Sequence, residues 1–552
     1  MISRRRFLIN SVTTGAGLAA GPNLLAAFEA QKLLALGGTS APPPTYYARM
    51  FPKLKPKFWP PNSDIEKGLR ELGKSMTDVE AGPQVGENEP ELPLAGYTYF
   101  GQFIDHDLTL DLTPLDSAEP RVEQTQNFRT PFLDLDQVYG GGPNLSPHLY
   151  RRDIPEGTSP REAERFIIGK TSKGSENDLP RNPDGVALTG DPRQDENLII
   201  AQLHVAFLKL HNVVIANSGM LNDPHNFRRK GESDFAAAQR IVRWHYQWII
   251  RNDYLNAVLD PNVFKWLPEL EKKKLANPPS SFAIPVEFSV AAFRFGHSMV
   301  RNEYKSINDN QFKVEISALM GLTGSKGLTS PGSQPNTTLP EEWVVCWNRF
   351  FQINEPAQLN RARPIDTRIA EGLHHLDEKD VKHFNVAMLA ERLEPKLPVR
   401  TLVRGFRIGL PSGEQVAAEV ARQMPGVRIL KEKEIVAGDH DQGSILMDPK
   451  YGLRGNTPLW YYILREAEAL QGGKHLGPVG SFIVADVIME SLIADRDSYF
   501  WASKNAVSGD ATDRARAVAW QPTIERLVEV PERAMAELLR FVSRTTKESQ
   551  CG

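Results

Sequence analysis

Apolar residues recur with helical spacing over most of the chain from about residue 96 onward, and Pro/Gly-rich loops separate these stretches. Alternating apolar and polar positions, which would indicate strands, are few. The pattern predicts a mainly α fold, built as a single large domain with few strands. Helices are expected at 95–108, 194–218, 233–258, 286–302, 339–352, 381–392, 413–422, 457–470, 478–495 and 531–544.

The first 95 residues differ in composition from the rest of the chain. Residues 1–27 begin with SRRRFL at positions 3–8 and continue as a weakly apolar run rich in small residues. This order is typical of an export signal, and the paired arginines resemble the twin-arginine type. A basic amphipathic start that stays attached is the alternative. Residues 28–95 are rich in proline, which predicts an extended N-terminal arm.

Composition limits the partners that the protein can have. The 552 residues carry a net charge of −3, so there is no basic excess to neutralise phosphates and we expect no nucleic-acid partner. Two cysteines, Cys346 and Cys551, are too few for a disulfide framework. No run of about 18 or more apolar residues is visible, so we expect no stable membrane span after signal removal. The signal predicts contact with the twin-arginine export machinery and a periplasmic or extracellular location.

The run YTYFGQFIDHDLTL at 97–110 contains the first candidate residues. Read as a helix, it places Gln102 and His106 on one face, with Asp105 beside that face. Asp107 is turned away by about 100°. A histidine and an amide would therefore point into one cavity, while a carboxylate points elsewhere. Taken alone, His106 is more often a core histidine bonded to backbone.

The run TPFLDLDQVYG at 130–140 contains oxygen-bearing side chains at alternate positions. In an extended loop, Thr130, Asp134 and Asp136 would face the same side, while Phe132 could offer only its carbonyl. Together with Asp107, these oxygens suit calcium, which takes about six to eight oxygen ligands. A turn with an Asx cap is the alternative.

The run TGDPRQDEN at 189–197 leads into a long apolar helix. Asp191 is a good N-cap, and Arg193 and Glu196 share a face at the helix start. An exposed helix end with a local ion pair is the alternative. Further along this helix, His204 and His211 are interpreted as structural.

The run AAFRFGHS at 291–298 contains the second candidate histidine. Arg294 and His297 share a helix face, and Gly296 allows a bulky neighbour to approach the backbone. The flanking phenylalanines suit a flat apolar cofactor. A core histidine is an equally good interpretation of this stretch alone.

Taken in this order, the four stretches resemble the animal-type haem peroxidases of the peroxidase–cyclooxygenase superfamily. The resemblance covers roughly residues 95–500, and the closing run at 476–500 looks like that of bacterial members. It implies a haem peroxidase domain at 96–545 with haem b and calcium as cofactors. It also implies an enzyme that reduces hydrogen peroxide while oxidising small phenol-like or halide donors.

The resemblance further implies a role for each candidate residue. His106 matches the distal histidine, Gln102 its neighbouring amide, and Arg193 the distal arginine. His297 matches the proximal histidine that binds the haem iron. The remaining matches are Arg294 near a haem propionate, Asp105 and Glu196 as carboxylates that can form ester bonds to haem, and Asp107, Thr130, Phe132, Asp134 and Asp136 as calcium ligands.

One position departs from the family pattern on the proximal side. The family places an asparagine beside the proximal histidine, whereas the aligned position in TLVRGFRIGLP at 401–411 is Thr401. Such partners tune the basicity of the ligand and the redox potential, so altered proximal tuning is expected. Asn197 stands where one mammalian member has a haem-bonded methionine, so that link is expected to be absent.

Two alternatives remain open. Fatty-acid dioxygenases of the same superfamily generally carry a radical-forming tyrosine three residues before the proximal histidine, where this chain has Arg294. The other alternative is a haem-poor adhesive or structural surface protein. Intact His106, Arg193 and His297 argue against it, and Thr401 keeps it open.

Overall fold

The structure is a computed structural model. It describes residues 45–54, 63–77, 86, 88–113, 121–152, 154–279, 281–310, 312–321, 338–354, 358–376, 394–504, 520–524 and 527–546. Residues from Pro44 onward form one compact unit. The expected export signal at 1–27 and the expected helix at 381–392 lie outside the described residues.

Helices dominate the described part of the chain, which confirms the expected mainly α fold. The longer ones are α1 (Ser63–Ser75), α2 (Ala95–Leu108), α3 (Leu198–Ala216), α4 (Asp234–Ile249), α5 (Pro261–Ala276), α6 (Leu397–Arg407), α7 (Gly413–Gln423), α8 (Leu459–Gln471), α9 (Pro478–Ala494) and α10 (Ala534–Thr546). Short α-helices span Asp136–Tyr139, Gly142–Leu145, Ser218–Leu221, Leu255–Val258, Gly296–Met299, Ile316–Gly321, Glu432–Ile435, Gln442–Met447 and Tyr499–Lys504.

Strands are short and form two antiparallel pairs among the described residues. Strand β1 (Thr45–Tyr46) pairs with β2 (Gln126–Asn127), so that Thr45 lies opposite Asn127. Strand β3 (Glu303–Ser306) pairs with β4 (Phe312–Glu315). The few strands therefore tie loops together and do not form a separate layer.

Helix α3 occupies the centre of the unit and packs against α2, α4 and α10. It begins at the N-cap Asn197, whose side chain accepts a hydrogen bond from the Ile200 backbone N–H. By length and hydropathy α3 would suffice to cross a membrane, with a mean hydropathy of 1.7, although the sequence had indicated no such stretch. The whole of that window is buried inside the protein, as expected of a core helix.

Several expected elements differ from the structure. The stretch expected as a helix at 339–352 contains only two 3-10 turns, Glu341–Trp343 and Trp347–Arg349. The Asn348 side chain accepts hydrogen bonds from the backbone N–H groups of Ile353 and Asn354. These bonds take the place of the backbone hydrogen bonds of a helix.

The stretch expected as one helix at 286–302 is divided. It consists of a π-helical turn at Glu287–Ala291, a 3-10 turn at Ala292–Phe295 and a short α-helix at Gly296–Met299. The same irregularity follows α4, where Ile250–Tyr254 forms a π-helical turn. Irregular turns of this kind change the direction of successive side chains, and the first of them precedes His297.

The proline-rich segment at 28–95 is not extended throughout its described part. Residues Ser63–Ser75 form α1, which packs against α6 so closely that a Cβ on Gly73 would lie 2.8 Å from the Val399 backbone. Helices α1, α5 and α6 were not expected from the sequence. Helix α6 contains Pro398 and Gly405, which resemble loop signals, and its stability comes from packing between α1 and the core.

Candidate active site

A cavity of about 410 Å³ lies between α2, the start of α3, the irregular helix at 287–299 and α6. Its walls include all seven residues that the sequence analysis assigned to the haem side, namely Gln102, Asp105, His106, Arg193, Glu196, Arg294 and His297. Apolar side chains complete the lining, among them Val290, Phe293, Val300, Ile316, Leu373 and Ile408. The cavity is therefore a largely apolar space with charged and polar groups at defined points.

Helix α2 presents His106 to the cavity because its other faces are fixed by close packing. Phe103 stacks on Phe207 of α3, with ring centroids 4.8 Å apart and planes at 17°. Gly101 approaches Tyr254 so closely that a Cβ would lie 2.5 Å from the tyrosine hydroxyl. These contacts leave the face with Gln102 and His106 against the open space.

The His106 imidazole is buried, with a hydrogen-bond contact at one nitrogen and a carboxyl near the other. Its Nδ1 lies 3.2 Å from the side-chain amide of Gln194, and its Nε2 lies 3.7 Å from Oε2 of Glu196. Burial, followed by the nearby Arg193 charge, lowers the pKa of His106 well below its ordinary value. The ring is therefore neutral at neutral pH. The contact from Gln194 was not expected, because its sequence context indicates only a helix start.

A chain of amide contacts crosses the distal wall. Asn197 donates a hydrogen bond of 3.2 Å to Oε1 of Gln102, and Gln102 donates one of 3.1 Å to Oε2 of Glu196. Burial raises the pKa of Glu196. Gln102 is thus engaged at both ends of its amide, and it fixes the position of Glu196 beside His106.

Arg193 is anchored by its neighbours on the distal side. Its Nε and Nη2 donate to the Asp191 carboxylate, at 2.8–3.2 Å, and Nη2 also donates to the backbone oxygens of His106 and Thr109. Burial lowers the pKa of Arg193, but Asp191 raises it by more. The guanidinium is therefore charged and tied to α2.

A buried arginine that the sequence analysis missed shares the Asp191 carboxylate with Arg193. Arg129 donates to Asp191 Oδ2 at 2.6 Å and to Asp136 Oδ1 at 3.1 Å. Burial would raise the pKa of Asp191, but Arg129 and Arg193 hold it well below its ordinary range. In the sequence, the only hint of this role was that Arg129 directly precedes Thr130. Its partners Asp136 and Asp191 lie elsewhere in the chain.

His297 lies far from His106 in the sequence, in the short helix Gly296–Met299. Its Nδ1 is buried and has no hydrogen-bond partner among the described residues. Burial lowers the pKa of His297 to about 3. The Trp460 ring meets the imidazole edge to face, with centroids 6.2 Å apart and planes at 76°.

Thr401 does not replace the asparagine of the family pattern as a partner of this histidine. Its hydroxyl donates a hydrogen bond of 3.0 Å to the Leu397 carbonyl, one turn earlier in α6. No hydrogen bond joins it to His297 in the described part of the chain. Among the described residues, the His297 ring is therefore held by packing and not by a hydrogen bond from Thr401.

Three arginines add positive charge to the cavity wall. Arg294 donates from Nε to the Ser289 carbonyl at 2.9 Å, and Arg404 pairs with Asp111. The Arg400 side chain makes no hydrogen bond to a described residue, and the charges that act on it include Arg294 and Glu196. Burial lowers the pKa of Arg294 and of Arg400. These cations can hold anionic groups of a ligand.

The candidate calcium ligands come together on the other side of α2. One carboxylate oxygen from each of Asp107, Asp134 and Asp136 lies within 4.8 Å of the other two. Asp107 is fully buried, and neither of its oxygens has a well-formed hydrogen bond among the described residues, although the Tyr246 hydroxyl and the Leu135 backbone N–H lie near them. Burial, followed by the charges of Asp134 and Asp136, raises the pKa of Asp107.

The loop before these carboxylates shapes the same cluster. The Thr130 hydroxyl donates to Asp134 at 2.7 Å, and the half-buried Phe132 lies between them in the chain. Leu135 adopts a left-handed backbone with φ of 61°, which turns the chain between Asp134 and Asp136. The donor set is hard oxygen throughout, as calcium prefers.

Comparisons with known proteins find relatives of part of the chain. Residues 113–323 match the family model of the animal haem peroxidases. Lactoperoxidase from Mesocricetus auratus is 30% identical over 192 residues, covering 33% of this chain and 26% of that protein. Thyroid peroxidase from Mus musculus is 28% identical over 214 residues, covering 37% and 22% respectively. The chain thus matches about a quarter of the length of these relatives, and the matches support the superfamily.

Solved structures agree on the fold. Peroxidase A from Dictyostelium discoideum superimposes with a TM-score of 0.53 at 15% identity, covering 90% of this chain and 94% of that one. A fatty acid alpha-dioxygenase from Arabidopsis thaliana gives 0.55 at 15% identity, covering 92% and 80%. Both reaction types therefore occur on this fold, and residues of the site must distinguish them.

Proposed function

We propose that this protein is a haem peroxidase that reduces hydrogen peroxide with electrons from small phenol-like or halide donors. One observation carries the proposal. His106 and His297, from distant parts of the chain, line the same buried cavity together with Arg193. The match to the animal haem peroxidase family over 113–323 supports an oxidoreductase of this class.

The cavity residues fit a haem. Apolar side chains can cover a flat ring, Arg294 and Arg400 can hold its propionates, and His297 can bind iron through Nε2. If His297 binds iron through Nε2, Nδ1 is the nitrogen that faces the protein. Here that Nδ1 is buried without a hydrogen-bond partner among the described residues. When bound, haem b supplies the redox chemistry that cleaves the O–O bond and then returns to its starting state with electrons from the donor.

His106 serves as the acid–base group. Its Nε2 takes a proton from one peroxide oxygen and gives it to the leaving oxygen, which departs as water. For Nε2 to accept this proton, the one proton of the neutral ring must be on Nδ1. The Gln194 amide must therefore present its oxygen to Nδ1. Rotation of the Gln194 amide exchanges its nitrogen and oxygen without moving other atoms. Oε1, which is otherwise buried without a partner, then accepts a hydrogen bond from Nδ1–H.

Arg193 supplies a fixed positive charge for the developing negative charge. Its Nε and Nη2 are occupied by Asp191 and backbone oxygens, whereas Nη1 makes no hydrogen bond to a described residue. That group is free to donate to the peroxide in the cavity. Gln102 acts indirectly, because its amide already holds Glu196.

A calcium ion belongs to the same proposal. Asp107, Asp134 and Asp136 would supply carboxylate oxygens, Thr130 its hydroxyl and Phe132 its carbonyl. Three carboxylates at this spacing, two of them buried, repel one another unless a cation balances them. Asp107 directly follows His106, so the ion would fix the end of α2.

Asp105 and Glu196 are the candidates for ester bonds to haem methyl groups. Both carboxyls line the cavity, and burial raises the pKa of each. Each already accepts one hydrogen bond, from Thr109 at 2.9 Å and from Gln102 at 3.1 Å respectively. These contacts orient the carboxyls toward the cavity rather than away from it.

The experiment is an absorption spectrum of protein purified with haem and calcium supplied, before and after addition of hydrogen peroxide. A strong Soret band that shifts with peroxide, followed by oxidation of a phenol such as guaiacol, supports the peroxidase. The variant His106→Gln should keep the band and lose the fast shift. His204→Gln is the matched control, because His204 is equally buried in α3 but does not line the cavity.

The fatty-acid dioxygenase is the second candidate, because such enzymes share this fold. The position of the radical-forming tyrosine is Arg294, and this argues for the peroxidase. Oxygen uptake with an unsaturated fatty acid would favour the dioxygenase. Protein that folds but never binds haem would favour the haem-poor surface protein.

Export completes the proposal. The arginines of SRRRFL at positions 3–8 would direct the chain to the twin-arginine machinery and thus to the periplasm or beyond. Replacing Arg5 and Arg6 by lysine should retain the protein in the cytoplasm of a host with that pathway. Export that is unaffected by the double replacement would contradict this assignment.

A further inference from the structure

Arg129 joins two parts of the proposed machinery that are separate in sequence. One end of its guanidinium, Nη1, donates to Asp136 Oδ1 at 3.1 Å. The other end, Nη2, donates to Asp191 Oδ2 at 2.6 Å and to the Gly190 carbonyl at 3.3 Å. The side chains of Arg129 and Asp191 are 8% and 0% exposed, so water cannot replace these bonds.

Asp191 continues the connection to Arg193. Its Oδ1 accepts from the backbone N–H of Arg193 at 2.9 Å, and both of its oxygens accept from the Arg193 side chain. One buried carboxylate therefore positions both the backbone and the guanidinium of Arg193. If Asp191 moves, Arg193 must move with it.

The two segments are also in direct backbone contact. A Cβ placed on Gly190 would lie 2.6 Å from the carbonyl oxygens of Asp136 and of Gln137. The loop that carries Asp136 thus packs on the residue immediately before Asp191. A shift of this loop cannot be absorbed by empty space between the segments.

We propose that Arg129 is a positioning residue that couples the calcium site to Arg193 through Asp191. When a cation holds Asp136, Arg129 has a fixed partner at one end and keeps Asp191 in place at the other. When the cation is removed, repulsion among Asp107, Asp134 and Asp136 moves Asp136, and Arg129 passes this movement to Asp191. The roles of Arg193 and of the cation rest on the proposed function.

A merely structural arginine would behave differently, and the chain offers one for comparison. Arg181 is buried to a similar degree and holds two carboxylates, Asp178 at 3.3 Å and Asp195 at 2.7 Å. Asp195 lies two residues from Arg193, but the Arg181 side chain donates to Asp178, Gly185 and Asp195 and not to Asp136 or Asp191. Arg181→Gln therefore reproduces the loss of a buried ion pair without breaking the connection.

The first test is hydrogen–deuterium exchange with and without calcium, which needs no haem. In the wild type, chelation with EGTA should speed exchange in peptides covering both 129–137 and 189–197. In Arg129→Gln, calcium should still protect 129–137, but 189–197 should exchange rapidly in both conditions. Arg181→Gln should respond to calcium as the wild type does.

The second test uses cyanide binding to the haem-loaded protein, followed by the Soret shift. Chelation should weaken cyanide binding by about five- to tenfold in the wild type. Arg129→Gln with calcium should already show that loss, and EGTA should add little. Because coupling is reciprocal, cyanide should raise the calcium affinity of the wild type by the same factor and leave that of Arg129→Gln unchanged.

Two outcomes overturn the proposal. One is calcium-dependent protection of 189–197 that persists in Arg129→Gln, and the other is a wild type in which chelation leaves 189–197 unchanged. If Arg129→Gln does not fold, Arg129→Lys serves instead, since an ammonium group reaches one carboxylate and should reduce the coupling. Protein without a Soret band would refute the peroxidase, while the exchange experiment would still decide the role of Arg129.

Discussion

The side-chain amide of Gln194 lies 3.2 Å from Nδ1 of His106, and both side chains are buried. The contact connects the 3-10 turn Pro192–Asp195, just before α3, to the last turn of α2. With the Gln194 amide oxygen turned toward Nδ1, the proton of the neutral ring stays on Nδ1 and leaves Nε2 as a base in the cavity.

We expect Gln194→Met to slow the reaction with peroxide by about ten- to a hundredfold, because the ring then loses its fixed tautomer and orientation. Haem content should not change. Stopped-flow absorption gives the rate of the Soret shift. Gln442→Met is the control, since Gln442 is equally buried and bonded but lies outside the cavity. Equal rates in both variants would refute this role for Gln194.

Removal of His106 should slow peroxide cleavage more than removal of Arg193. His106→Ala should slow peroxide cleavage by about 10²–10⁴-fold, because the neutral imidazole that carries the proton between the two oxygens is then lost. Arg193→Ala should cost less, because the proton path remains and only charge stabilisation is lost. The same stopped-flow experiment measures both rates. A purified His106→Ala protein with unchanged activity would rule out its assigned role.

Removal of calcium should destabilise the protein. A ligand that binds only the folded state stabilises it by about 2.7 kcal/mol at a free concentration one hundred times Kd. Calorimetry with calcium and with EGTA should therefore show a lower midpoint in EGTA. Asp107→Asn should abolish this difference, because the central ligand is lost.

The matched control for that experiment is Asp253→Asn. Asp253 is as deeply buried as Asp107, but it accepts hydrogen bonds from Tyr97 at 2.6 Å and from the Met535 N–H at 2.8 Å. Its replacement should lower stability with and without calcium alike. A calcium response that survives in Asp107→Asn would contradict the proposed ligand set.

The covalent state of the haem can be tested by extraction. After exposure to peroxide, acidified organic solvent should leave part of the haem on the wild type. It should remove all of it from a protein with both Asp105→Ala and Glu196→Ala, because no carboxyl is then available. Complete extraction from the wild type would refute stable attachment under those conditions.

Stability should fall as the pH rises because of Glu466. This buried carboxyl on α8 accepts from the Val479 and Gly480 N–H groups at the start of α9, at 2.9 and 3.3 Å. Burial raises its pKa to about 8. The folded state therefore holds a proton that an unfolded glutamate, with a pKa of about 4.3, has already released.

That contribution is complete below about pH 4 and is lost as the pH rises through 8. Glu466→Gln, which cannot ionise, should show a flatter dependence of unfolding free energy on pH between 5 and 8.5. Urea unfolding at several pH values measures the slope. A slope as steep as that of the wild type would exclude Glu466 as its source.

The sequence predicted those parts of the fold that depend on local periodicity. Helix α2 was expected at 95–108 and occupies Ala95–Leu108, because its apolar positions follow one helical repeat. Helix α6 was missed because proline and glycine within it weaken the local signal, and its contacts with α1 are distant in sequence.

The candidate site was predictable to the extent that each residue lies in a recognisable motif. The spacing of Gln102 and His106 indicated a shared face, and the alternating oxygens indicated a cation loop. Arg129 and Gln194 have no comparable signal, because their roles arise from partners on other segments. The convergence of His106 and His297 on one cavity also required the folded chain.

The segment before α2 has a consequence for how the protein can be shortened. Arg49 donates to the carbonyls of Ile408 and Gly409 at the end of α6, both at 2.8 Å. The N–H groups of Met50 and Phe51 satisfy the fully buried carboxylate of Glu287, ten residues before His297. An expression fragment that begins at Gly96, where the motifs start, would leave that carboxylate without donors and uncover the outer face of α6. A shortened protein that keeps these contacts must therefore start before Arg49, well before the stretch that matches the family model.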